Sequence, residues 1–200
     1  MRFKTLLKWL LVAVAVVGVV CLASILLLKG PSEQASPVAS QVPQSLQQNI
    51  LGLPVRLKIP KMNVDAPIGD VGLTPQGAMG VPVGPTSTVW FDLGPRPGED
   101  GSAVIAGHEG WKDGIWAVFD DLYKLQKGDK VYVIDEQGAT TTFVVSGSRL
   151  YDQNGDASDV FYSNDGQAHL NLITCEGTWN AAQKSYSNRL VVFTNIETNN

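Results

Sequence analysis

Residues 9–28 form a run of 20 residues without one charged side chain. At about 1.5 Å rise per residue, a helix of that length spans roughly 30 Å, the thickness of a bilayer's hydrocarbon core. Arg2, Lys4 and Lys8 precede the run and only Lys29 follows it closely, so the positive-inside bias puts the N-terminus in the cytoplasm and everything after the run outside. A cleaved signal peptide fits poorly. Its apolar region is shorter, and the small residues Ala23 and Ser24 are followed by Ile25, Leu26, Leu27 and Leu28, still deep in apolar sequence. Cys21 does not read as a lipidation site, since Val20 precedes it and apolar sequence continues beyond it. The expectation is an uncleaved signal anchor in residues 1–29 and a single-pass protein of the cell membrane with its folded part extracytoplasmic.

That division changes the charge arithmetic. The chain of 200 residues carries 15 Lys+Arg and 19 Asp+Glu, but Arg2, Lys4, Lys8 and Lys29 lie in the anchor, leaving 11 basic residues against 19 acidic and a net charge of −8. No Lys/Arg stripe offsets it, which argues against a nucleic-acid binder. Residues 30–52 are rich in Pro, Ser and Gln with no helical or strand period, and are expected to be a flexible tether. Residues 53–200 are the expected folded domain, long enough for one core.

Within that domain, short Val/Ile/Leu-rich runs at 55–59, 102–106, 130–135, 141–148, 169–174 and 190–195 are separated by glycine and proline. Such spacing predicts a mainly β fold, a barrel or a sandwich. One helix is expected after Asp113-Gly114, because Trp116, Phe119, Leu122, Tyr123 and Gln126 fall at helical spacing before Lys127-Gly128. Residues 151–166 form a long polar connection between two strands, a length often tied to function.

The chemistry-bearing residues are few. With Cys21 in the membrane run, Cys175 is the one cysteine of the outer domain, and no disulfide can form within it. A lone thiol is commonly a small buried apolar group, but Cys175 stands where Leu170-Asn171-Leu172-Ile173 gives way to Glu176-Gly177, at an expected strand end facing a cleft. His108 ends the run Ala103-Val104-Ile105-Ala106-Gly107 in the same way, whereas His169 opens a strand near Asp165 and reads as structural. Arg189 enters the apolar run Leu190-Val191-Val192-Phe193 and needs a negative partner or a function. A thiol, an imidazole and a guanidinium at three strand ends match acyl transfer through a thioester: Cys175 attacks, His108 exchanges the proton, and Arg189 stabilises the oxyanion or orients the peptide. One cysteine and two separated histidines supply no zinc-ligand spacing. The acidic stretch with Asp152, Asp156 and Asp159 lacks the alternation of a calcium loop, so neither metal nor cofactor is expected. Other cysteine peptidases place Cys before His or need a parallel α/β sheet. The alternative from a different class is a membrane-tethered β-module that binds a ligand and catalyses nothing, with the three residues spatially unrelated.

Five segments together resemble the sortases, membrane-anchored cysteine transpeptidases. They are Leu57-Lys58-Ile59-Pro60-Lys61, the glycine-flanked run ending Ala106-Gly107-His108, Leu125-Gln126-Lys127-Gly128-Asp129, Leu172-Ile173-Thr174-Cys175 and Asn188-Arg189-Leu190. The segment Gly94-Pro95-Arg96-Pro97-Gly98-Glu99 is most similar to class F, while Asn171 stands where many sortases have Thr. The resemblance implies an eight-stranded sortase β-barrel with one or two short helices. It also implies catalysis by His108, Cys175 and Arg189, cleavage of an LPxTG-like sorting signal between Thr and Gly, and transfer to an amine acceptor such as a peptidoglycan precursor. Residues 151–166 would wall one side of the substrate groove. Thr174, beside the nucleophile, and Trp179 and Tyr186, in the segment between Cys175 and Arg189, are the residues expected to contact substrate.

Overall fold

In the computed structural model, residues 51–182 and 185–198 are described; the expected anchor, and the expected tether up to residue 50, lie outside them. Eight strands close into one barrel: β1 (Pro54–Ile59), β2 (Val64–Val71), β3 (Thr88–Phe91), β4 (Gly101–Gly107), β5 (Lys130–Asp135), β6 (Thr140–Asp152), β7 (Ala168–Asn180) and β8 (Ser185–Ile196). Around the barrel the order is β1-β2-β3-β4-β7-β8-β6-β5, with β5 returning to β1. The pairs β2–β3 and β4–β7 are parallel and the others antiparallel. Among the described residues, closure leaves the barrel itself no open sheet edge.

Alternation along β4, β7 and β8 divides the side chains between two faces. Ala103, Ile105, Leu170, Leu172, Leu190 and Val192 point inward and join Leu57, Ile59, Val131 and Phe143 in the central core. Val104, Ile173, Val191 and Phe193 point outward, where a second cluster forms with Met79, Phe91, Tyr151, Val160 and Phe161. Thr88, Thr174 and Thr194 are buried polar residues among these strands, and each donates its hydroxyl to a carbonyl: Pro67 (3.0 Å), Gly107 (2.8 Å) and Leu170 (2.7 Å). A buried hydroxyl without such a partner would cost about 1–3 kcal/mol.

Six of the strands lie at the expected runs. The other two are hidden by punctuation and brevity. β2 carries Pro67 and Gly69 yet buries Val64, Ala66 and Ile68 in strict alternation, and β3 has only four residues. The expected helix over 114–126 is absent. Single 3₁₀ turns stand at Lys112–Gly114 and Leu122–Lys124 instead. The reason lies in the backbone: the Val118 amide donates to Pro85 and the Phe119 amide to His108, so neither is free for a helical ladder, and Asp113 is already left-handed at φ 63°. Phe119 and Leu122 still reach the core, but Trp116 and Tyr123 are exposed.

Two further corrections concern strand length. β6 runs on through Tyr151 and Asp152, residues expected in the following turn. β7 and β8 continue past Cys175 and Arg189 to form a hairpin beyond the barrel, so both residues are interior to their strands and not at strand ends. A register shift between Glu176 and Trp179 marks where that hairpin begins.

The connection from β6 to β7 contains the one-turn helix α1 (Ser158–Phe161). It is held over the outer sheet face by three devices. Asn171 Nδ2 donates to the Val160 carbonyl at 2.6 Å, Asp159 accepts from Arg149 (2.7 Å) and the Tyr151 hydroxyl (2.8 Å), and Phe161 packs edge-on against Phe91.

Candidate active site

The register of three neighbouring strands assembles the site. β4 and β7 run parallel with Ala106 opposite Ile173, so two residues further His108 comes level with Cys175, and β8 places Arg189 directly opposite Cys175. Side chains two apart share a face, and adjacent strands lie about 4.8 Å apart. His108, Cys175 and Arg189 therefore form one row across the outer face with the thiol in the middle. All three line a groove of about 990 Å³. One wall is the segment 78–82, another the loop 109–112, and a third the hairpin arms carrying Trp179, Ser185 and Tyr186; Phe161 of α1 and Gln153 complete it.

His108 follows the end of β4, and two contacts fix its ring. Its Nε2 lies 2.8 Å from the Pro82 carbonyl, which can only accept, so that nitrogen carries a proton. Trp111 packs against the ring at 4.8 Å between centroids. The Gly107 carbonyl is tied to Thr174 and the His108 carbonyl to the Phe119 amide. Thr174 lines the floor of the groove, and its hydroxyl, bonded to the Gly107 carbonyl, ties β4 to β7 there.

Arg189 donates to the carbonyls of Tyr186 (3.1 Å) and Asn188 (2.8 Å) and to the Ser185 hydroxyl (3.2 Å). Among the described residues it makes no ion pair. Its positive charge is thus left to act on the groove. Burial pushes the Cys175 thiol up from its ordinary value; Arg189 pulls it back down and Glu109 pushes it further up. Trp179 and Tyr186 are cross-strand partners with rings 5.2 Å apart, forming a T-shaped aromatic wall. Beyond them, the Tyr186 hydroxyl lies only 3.0 Å from where a Cβ on Gly110 would stand, and that glycine is left-handed, at φ 63°. The histidine loop and the hairpin thus meet over one end of the groove.

His169 stands far along β7 from this row, bonded to Asp165 (3.0 Å) and Asn195 (3.0 Å), a structural role. The acidic stretch that starts at the end of β6 is spent on its own fold: Asp152 accepts from the Asn154 amide, Asp156 from the Ser158 amide, and Asp159 from Arg149 and Tyr151. No group of three or more His, Cys, Asp or Glu suited to a metal ion occurs among the described residues.

Sequence reasoning overlooked Pro82, which acts through its carbonyl, and Glu109. Glu109 lines the groove, and burial, with Glu176 and Asp120 adding repulsion, raises its carboxyl to about 7. A signal for it was present: His108 and Cys175 are each followed by Glu-Gly.

Comparison with known proteins agrees with this fold. A sequence model of the sortase domain matches residues 57–197. Among solved structures, sortase C1 of Streptococcus agalactiae is similar at a TM-score of 0.57 with 25% identity, over 73% of this chain and 68% of that one. Sortase A of Corynebacterium diphtheriae, a lid mutant, gives 0.56 with 20% identity over 77% and 75%, and sortase C-1 of Actinomyces oris 0.55 with 23% over 72% and 74%. No curated protein sequence matches.

Proposed function

Because the chain belongs to the sortase family, whose members are cysteine transpeptidases, we propose that it cleaves an LPxTG-like sorting signal and passes the acyl group to an amine, with His108, Cys175 and Arg189 as the catalytic residues. The observation that carries this reading is the single row in which the thiol stands between the imidazole and the guanidinium.

The chemistry follows from that order. The Cys175 thiolate attacks the carbonyl carbon of the Thr–Gly amide, and the oxyanion that develops is stabilised from the Arg189 side. His108, having taken the thiol's proton at Nδ1 while Nε2 keeps its own on the Pro82 carbonyl, passes that proton to the departing glycine amine, the C–N bond breaks, and a thioester remains on Cys175. Burial keeps most of the thiol protonated at neutral pH, so the reactive thiolate is a minority species that Arg189 helps to populate. The Pro82 carbonyl serves as the acceptor that orients the imidazole, the part a carboxylate plays in a serine-protease triad. An incoming amine then attacks the thioester, and Cys175 leaves.

Trp179 and Tyr186 supply the apolar wall for the peptide, and Thr174 lines the floor beside the nucleophile while bracing Gly107. The Gly94 to Glu99 segment supports assignment to class F. The charge-free run at residues 9–28, with its basic start, supports a single-pass anchor that holds the catalytic domain outside the cell membrane, beside lipid-linked acceptors such as a peptidoglycan precursor.

Incubating the full chain in detergent with a panel of LPxTG-like peptides, with and without an amine, tests this reading. Mass spectrometry is expected to show an acyl adduct on Cys175 that disappears in Cys175→Ala. Peptides left intact across the whole panel would refute it.

A further inference from the structure

One ionisable side chain in the groove has no part in forming the thioester. Glu109 follows His108 in the loop after β4, close enough to Glu176 of β7 and to Asp120 for both to repel its carboxylate. Glu109 lines the groove, and its Oε2 is buried with no hydrogen-bond partner. Its neighbours are otherwise engaged. Asp120 accepts the Gly110 amide at 2.7 Å and the Ala117 amide at 3.0 Å, and Glu176 accepts the Gly177 amide at 3.1 Å. Arg189 turns its donors to Tyr186, Asn188 and Ser185. Among the described residues no cation forms an ion pair with Glu109, so a carboxyl faces the thiol's groove without a positive partner.

We infer that Glu109 receives the ammonium group of the amine acceptor and thereby sets the partition of the thioester between transfer and hydrolysis. The inference rests on the transpeptidase reading above. An amine reaches the site mostly as R–NH3+, which has no lone pair and cannot attack. The Glu109 carboxylate accepts one proton, leaving R–NH2 held beside His108. The nitrogen lone pair forms the new C–N bond at the thioester carbonyl, and the second N–H proton passes to the neutral imidazole of His108. The C–S bond breaks, Cys175 leaves as thiolate, and Glu109 returns its proton to solvent. Water carries no charge and is not drawn in by this carboxylate as an ammonium is, so the charge favours transfer over hydrolysis.

The surroundings suit that role. Glu109 acts electrostatically on Cys175 of β7 and Tyr186 of β8 and is itself repelled by Asp120 and Glu176, and it shares the groove with His108, Lys112 and Arg189. Repulsion from Glu176 and Asp120 makes an arriving ammonium the natural counter-ion. A carboxyl titrating near 7 exchanges protons readily at the pH where an α-amine, with its usual pKa of about 8, is still charged.

The test compares two nucleophiles on the full chain at pH 7 with saturating sorting peptide: glycinamide, largely charged, and hydroxylamine, neutral. The transfer-to-hydrolysis ratio is read from the products. In Glu109→Gln the ratio with glycinamide is expected to fall about 10-fold while that with hydroxylamine changes less than about 2-fold. Glu109→Asp, which keeps the charge, is expected to recover part of the loss and guards against a folding defect. An unchanged ratio, or an equal fall for both nucleophiles, overturns the assignment of Glu109. Absence of any cleaved peptide with the parent protein instead overturns the transpeptidase reading beneath it.

Discussion

Substituting Gly107 with alanine pits one methyl group against the support of His108. A Cβ there would lie 2.5 Å from Cδ2 of Phe119 and 2.7 Å from Cγ1 of Val118. Ordinary carbon contacts need about 3.5 Å or more, so a side chain or the strand must retreat by about 1 Å. Neither neighbour has room: Phe119 is 1% exposed and Val118 2%. The strand is equally constrained, since the Gly107 carbonyl is bonded to Thr174 and the next carbonyl to the Phe119 amide. Overpacking of this kind costs about 1–3 kcal/mol, which for a folded part of this size lowers the melting temperature by about 2–12 °C. Whatever strain is relieved by moving the strand moves His108 with it, and a displacement of about 1 Å in a catalytic group costs about 100-fold in rate. Gly147 in β6 is the matched control, because a Cβ there meets nothing within 4 Å. Thermal melting and peptide cleavage at saturating substrate are the assays. Gly107→Ala melting within about 1 °C of the parent with an unchanged rate would refute the reasoning.

Other expectations follow from the same contacts. Asn171→Leu leaves the buried Val160 carbonyl without its donor and should cost about 1–3 kcal/mol; because α1 walls the groove, KM for the sorting peptide should rise more than kcat falls. Alkylation of Cys175 by iodoacetamide should accelerate as pH rises above neutrality, since burial holds the thiol up. Glu109→Gln should move that curve to lower pH and Arg189→Ala to higher pH. For stability, the sign at Glu109 is unfavourable. Its folded carboxyl titrates at about 7 against an unfolded value of about 4.3, so the folded state binds the extra proton and stability falls as pH rises through that window. Glu109→Gln should therefore melt higher than the parent at pH 8 and nearly level with it at pH 4, as read by calorimetry at both values. This would be a stability cost concentrated at a working site.

The sequence made some of this visible and concealed the rest for physical reasons. Runs of β-branched residues disclosed β1 and β4 to β8, because burying one face of a strand imposes a period of two. Pro67 and Gly69 masked the same period in β2, and the aromatic spacing from Trp116 to Gln126 imitated a helix whose backbone amides are in fact committed to Pro85 and His108. His108, Cys175 and Arg189 stood out as chemically unusual side chains in apolar surroundings, and the fold brings them to one groove. Their placement at three strand ends was only partly legible: β7 and β8 continue as a hairpin, and it is the shift after Glu176 that carries the chain off the barrel. Pro82 contributes a backbone carbonyl from a loop 26 residues earlier, which no side-chain pattern can announce.

The parallel pairing of β4 with β7 has a kinetic consequence. The bond from Thr174 to Gly107 closes a loop of 67 residues, and contacts so distant in sequence form late because the entropy of loop closure must be met first. Cys175 and Arg189 lie on one hairpin and can meet early, but the imidazole joins them only once the long-range β4–β7 rungs have formed. During folding the thiol thus passes through a period in which it is exposed but His108 is not yet beside it, so the groove is the last thing the barrel completes around Cys175.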